Sequence, residues 1–202
     1  RESRETSRTR SASPSTARPR SAPREAEPRA DRHLCPEWLG YLLASPLRRL
    51  IESPEKLLGP HVREGMTVLE VGCAMGFFSL PLARMTGEKG RVLCVDVEPR
   101  MVEGLVRRAT KAKLIDRIEP LRCGEDDLGL SGHEGTVDLA GAIHTLHELP
   151  DIERGLRQIA AALKPGGRLL VIEPTGHVSR ATWDFELEAA GHVGFTVARR
   201  LD

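Results

Sequence analysis

This sequence predicts a doubly wound, mostly parallel α/β sheet, and three observations carry the prediction. Apolar runs rich in Val, Ile and Leu alternate with helical patterns from residue 65 onward. One of them, 66–71, breaks into Gly72-Cys73-Ala74-Met75-Gly76 and resumes with helix-like spacing at Phe77, Phe78, Leu80, Leu82 and Ala83. The runs also end in polar and acidic residues, and an open parallel sheet binds its ligands beyond the carboxyl ends of its strands.

The elements follow in order. Strand one spans 66–71, and a helix covers 77–85. A turn at 87–90 leads into strand two, 91–95, which ends at Asp96. The next helix, 99–113, carries Met101, Val102, Leu105, Val106 and Ala109 on one face. Strand three is short, 118–122; strand four is 137–143; a helix at 151–163 follows. Lys164-Pro165-Gly166-Gly167 reads as a sharp turn before strand five, 168–172, and a helix at 179–190 and a strand at 195–201 complete the chain. Strands apolar on both faces belong to a parallel sheet covered on both sides, and right-handed crossovers fix its winding.

Two segments precede the sheet. Residues 1–32 hold nine arginines against five acids and no aliphatic side chain larger than Ala, so they cannot bury enough apolar surface to order themselves. They read as a disordered tail or as sequence upstream of the true start, with an RNA- or phosphate-binding arm as the sharper alternative. Residues 33–62 suggest two short helices broken at Pro46 and Pro54, with Ser53 as N-cap and Pro54 at the first helical position. They either cap the crevice or pack on the sheet; core packing is the simpler role for Trp38 and Tyr41. The domain plan is therefore a tail at 1–32, a helical cap at 33–62 and the sheet domain at 63–202.

Composition excludes several classes. No apolar run reaches the ~18 residues of a membrane span, and no signal-peptide core is present. The chain begins without Met, as a fragment or processed form would. Cys35, Cys73, Cys94 and Cys123 lie far apart without a CxxC pair, so no metal site is expected and free thiols in a reducing cytoplasm are. The net charge of +1 conceals the basic tail, and the mildly acidic remainder carries no nucleic-acid footprint.

Two carboxylates give the glycine turn its chemistry. Asp96 can accept two hydrogen bonds from a ribose diol, or it can cap the helix that starts near Pro99; its pairing with the glycine turn favours the ribose. Glu70, beside the turn, is a poor neighbour for a pyrophosphate, which wants bare backbone N–H groups. A negative side chain there suits a cationic, phosphate-free ligand such as S-adenosylmethionine.

With VLEVGCAMGFFSL, VLCVDVEPRM, RCGEDDL, VDLAGAIHTLHELPD and LKPGGRLLVIEP in this order, the chain resembles the class I S-adenosylmethionine-dependent methyltransferases from about residue 54 to its end. The resemblance implies a Rossmann-like methyltransferase sheet of order 3-2-1-4-5-7-6, with S-adenosyl-L-methionine as cofactor. It implies that Glu70, Gly72, Ala74 and Gly76 form the cofactor turn and that Asp96 holds the ribose hydroxyls. Val97 and Met101 would pack near the adenine, and Glu125 or Asp126 would meet its amino group. Ala74 stands where the family usually has glycine, at a cost of order 1 kcal/mol if its φ is positive. The segment from His144 to Glu148 would line donor and acceptor, with His144 and His147 as candidate general bases or as packing and capping residues. Glu173 would touch the substrate or satisfy a turn. The family's last strand should follow, but the sequence stops at Asp202, so that strand is absent or the sequence is cut short, and an exposed sheet edge is expected. The implied activity is methyl transfer to a small molecule, with no membrane partner. RNA or protein methylation aided by the basic tail, and a degenerate binding module without activity, are the alternatives.

Overall fold

A computed structural model describes residues 52–124, 126–174 and 176–198. The 1–32 tail, most of the 33–62 cap including Trp38 and Tyr41, and Glu125 lie outside the described residues. Among the described residues five strands form one parallel sheet: β1 (Thr67–Val71), β2 (Arg91–Asp96), β3 (Ile118–Arg122), β4 (Val137–Ile143) and β5 (Leu163–Ile172). Their order is β3-β2-β1-β4-β5, which matches the first five places of the expected sheet. The helices are α1 (Pro54–Leu58), α2 (Ser79–Met85), α3 (Pro99–Lys111), α4 (Ile152–Ala162) and α5 (Arg180–Val193).

Strand alternation divides the core into two faces. Val68, Val92, Cys94 and Leu139 face α1, α2 and α3 through Leu58, Leu80, Leu82, Leu105 and Ala109. Leu69, Val71, Leu93, Val95 and Ala140 face α4 through Ile159 and Ala162. A third cluster seats Ala189 of α5 on Ala142, Leu146 and Leu156. Each fully buried Leu or Val contributes roughly 1.5–3 kcal/mol, so covering both faces is what stabilises these near-continuous apolar strands. At the amino-terminal edge, Asp138 ties three strands together. Its carboxylate accepts from the Thr67 N–H at 2.8 Å and from Lys164 Nζ at 2.6 Å.

Local signals set several element ends. Ser53 caps α1 by accepting from the Lys56 N–H, and Pro54 takes the first turn as expected. Asp151 caps α4 by accepting from Arg154, and Ser179 caps α5 by accepting from Thr182. Two expectations are corrected. Residues 164–167 form no separate turn: they lie inside β5 as an irregularity between Val137 and Leu139 of its partner, with Gly166 at φ 78°. Residues 195–198 form no strand either. Gly194 ends α5 in the left-handed region at φ 102°, and the Phe195 N–H then closes back on the Ala190 carbonyl. The Phe195 ring packs on the core instead of extending the sheet. Among the described residues no helix is long and apolar enough to cross a membrane.

Candidate functional site

Sheet order reverses between β1 and β4, the switch point at which open parallel sheets bind their ligands, beyond the carboxyl ends of the strands. The turn after β1 is stitched to β2: the N–H groups of Gly72 and Cys73 both donate to the Val95 carbonyl, at 2.9 and 3.0 Å. Gly72 has φ 75°, and a Cβ built on it would collide with the Thr145 side chain from the turn after β4. Glycine is therefore required twice at this position, for the backbone angle and for the closeness of the two turns. Ala74 has φ 45°, so the one departure from the family's glycine pattern sits in a strained conformation costing about 1 kcal/mol.

Asp96 holds this turn in place. Its Oδ2 accepts from the Ala74 N–H at 2.7 Å and its Oδ1 from the Glu98 N–H at 2.9 Å. A carboxylate offers about four acceptor positions, so lone pairs remain on both oxygens, and the side chain is only partly buried. Burial raises its pKa above the usual carboxylate value, against the lowering effect of the Glu98 and Ala74 N–H groups. Val97, next in the chain, is 45% exposed. An acid with free lone pairs beside an exposed apolar side chain fits a ribose diol carrying a flat base. Met101 is 3% exposed and belongs to the buried face of α3. Asp126 is exposed, with Arg154 of α4 at 3.9 Å.

Glu70 is turned inward. It is 2% exposed, and its Oε2 accepts from the Ser79 hydroxyl at 2.6 Å, at the first residue of α2. Burial pushes its pKa up to about 8; the Ser79 hydrogen bond opposes the shift and the Asp96 charge adds to it. The open negative charge expected from the sequence is therefore a buried carboxyl that holds a proton near neutral pH. Nearby thiols are quiet: Cys94 beside it and burial push the Cys73 thiol well above its usual value, and burial raises Cys123 to about 11.

Across the crevice, the turn after β4 presents both histidines. His144 has φ 58°, its N–H donates to the Ile172 carbonyl at 2.7 Å, and its Nε2 lies 3.5 Å from Glu52. His147 is less exposed than His144; its Nδ1 pairs with Glu173 Oε2 at 2.7 Å, and its N–H donates to Glu173 Oε1. Glu148 is exposed. The His177 ring stands edge-on to His147 with centroids 5.3 Å apart. Glu186 of α5 completes this group, with a ligand atom within 4.8 Å of those of His147 and Glu173. Sequence reasoning passed over Glu186, although it lies three and seven residues before Ala189 and Val193 and so on the inward stripe of α5.

Comparison with known proteins adds four likenesses. Residues 68–167 match the family model described as a methyltransferase domain. The chain is similar to the ubiquinone/menaquinone biosynthesis C-methyltransferase UbiE of Klebsiella pneumoniae, with 30% identity over 112 residues, 55% of this chain and 44% of that protein. The chain spans about half the length of the curated relatives it matches. Among solved structures it is similar to a SAM dependent methyltransferase from Aquifex aeolicus, with a TM-score of 0.72 and 29% identity over 82% of this chain and 92% of that one. It shares its fold with the arsenic (III) S-adenosylmethionine methyltransferase CrArsM of Chlamydomonas reinhardtii, with a TM-score of 0.58 and 24% identity over 69% and 55% of the two chains.

Proposed function

We propose that this chain, a class I S-adenosylmethionine-dependent methyltransferase by its family match and its likeness to the Aquifex aeolicus structure, transfers a methyl group from its cosubstrate S-adenosylmethionine to a small-molecule acceptor. The observation that carries this reading is Asp96. It ends β2, keeps lone pairs beyond those used by Ala74 and Glu98, is only partly buried and is bound to the same turn that Gly72 and Gly76 shape. The relatives named as C-methyltransferases make an electron-rich carbon the first acceptor class to test.

When bound, the cosubstrate supplies a methyl group already activated by a sulfonium. The protein's task is then alignment and exclusion of water. Asp96 would hold the ribose hydroxyls, Val97 would lie against the base, and the 72–76 turn would shape the methionine end of the site. Thr145, packed on Gly72, fixes the distance between the donor side and the turn after β4. A carbon acceptor must lose a proton, and His144, the more exposed of the two histidines, takes it. RNA or protein methylation and a non-catalytic role draw no support from the described residues. A cytoplasmic setting suits Cys73, Cys94 and Cys123, which are all free thiols.

The test is release of S-adenosylhomocysteine during incubation with S-adenosylmethionine and a panel of phenols, hydroquinones, thiols and amines. One class should support turnover, and Asp96→Ala should lower kcat/KM for the cosubstrate. Turnover with no class, or with a class but unchanged in Asp96→Ala, would contradict the proposal.

A further inference from the structure

We propose that His147, Glu173 and Glu186 form a binding site for a first-row divalent cation, zinc or an ion of similar ligand preference, where the ends of β4 and β5 meet α5. Three segments far apart in sequence bring one ligand atom each to within 4.8 Å of the others. The decisive residue is Glu186. It is 2% exposed, and among the described residues neither carboxylate oxygen has a hydrogen-bond partner. A buried carboxyl group without a donor is costly to fold around. His147 and Glu173 bond to each other, through Nδ1 and the His147 N–H, and neither is hydrogen-bonded to Glu186.

A cation gives all three a common partner. Two carboxylates and a neutral imidazole balance a divalent charge. Zinc bonds of ~2.0–2.2 Å in a tetrahedral shell separate ligand atoms by about 3.4 Å. That value lies between the 2.7 Å contact of His147 with Glu173 and the 4.8 Å bound on the group, so the ligand atoms already stand near the spacing that such a shell needs. One imidazole among few oxygens selects against calcium and magnesium, which prefer all-oxygen shells with more ligands. Three protein ligands leave one position for water or for an oxygen or sulfur atom of a small molecule. The site does not depend on methyl transfer, so the two proposals can fail separately.

The full-length chain without an affinity tag, stripped by a chelator, is titrated with Zn²⁺ by calorimetry and with Co²⁺ by visible absorption. The expected result is saturable binding of one ion per chain with ligand-field bands from Co²⁺. Glu186→Gln and Glu173→Gln should each weaken binding by at least about tenfold. His192→Ala, in a surface cluster with Glu153 and Glu188, should leave it unchanged. Zn²⁺ should raise the Tm of the wild type and not of Glu186→Gln. Absence of saturable Zn²⁺ and Co²⁺ binding, equal affinity in Glu186→Gln, or loss of binding in His192→Ala would overturn the proposal.

Discussion

Replacing Glu70 with Gln should remove a pH dependence of stability that the wild type carries. Glu70 is 2% exposed, accepts from the Ser79 hydroxyl and has its pKa raised from 4.5 to about 8, chiefly by burial. Between those values the native chain keeps a proton that the unfolded chain has lost. The contribution to stability is thus complete below about pH 4.5, falls as pH rises and is gone above about pH 8. At about 1.4 kcal/mol per pH unit, the loss across the window is at most about 5 kcal/mol. Glutamine keeps a carbonyl acceptor for Ser79 and cannot ionise. Urea unfolding followed by circular dichroism at intervals from pH 5 to 9 measures both chains. Wild-type stability minus that of Glu70→Gln should fall steadily through the window and level off near pH 8. Other titrating groups, Glu186 among them, are present in both chains and cancel in that difference. A difference that stays constant, or rises with pH, would refute the burial argument for Glu70.

Two glycine-turn variants test the backbone. Ala74→Gly removes left-handed strain at φ 45° at the cost of a more flexible unfolded chain, and the net should be a gain of about 1 kcal/mol or less in denaturant unfolding; a loss of stability would show that Ala74 is not strained. Gly72→Ala adds a collision with Thr145 to a φ of 75°, and unfolding should show a loss of at least about 2 kcal/mol; an unchanged midpoint would mean that the two turns are not in contact.

The sheet was legible because its strands are buried on both faces. VLEV, VLCV and VDLAGAI stand out as apolar runs, and their order follows from the crossover rule. Gly72 and Gly76 were legible as turn residues, and both have positive φ. Asp96 was legible as a strand-end acid, but not its double role as the clamp on Ala74 and Glu98. Glu70 announced a carboxylate; that it points inward onto Ser79 depends on where α2 lands. The 164–167 segment was misread because Pro and Gly mark both turns and strand irregularities, and only pairing with β4 separates the two. Phe195 was misread because an apolar residue after a helix looks the same whether it extends a sheet or closes onto the core. The group of His147, Glu173 and Glu186 spans 40 residues of sequence and depends on how α5 packs, which local pattern does not encode.

The central claim is that the turn after β1 and Asp96 together hold S-adenosylmethionine. Calorimetric titration of the purified chain with S-adenosylmethionine, beside Asp96→Ala checked for native circular dichroism, tests it most directly. Saturable one-to-one binding by the wild type, weakened at least about tenfold in the variant by loss of hydrogen bonds to a charged acceptor, is the predicted result. No binding by the wild type, or equal binding by the folded variant, would contradict it.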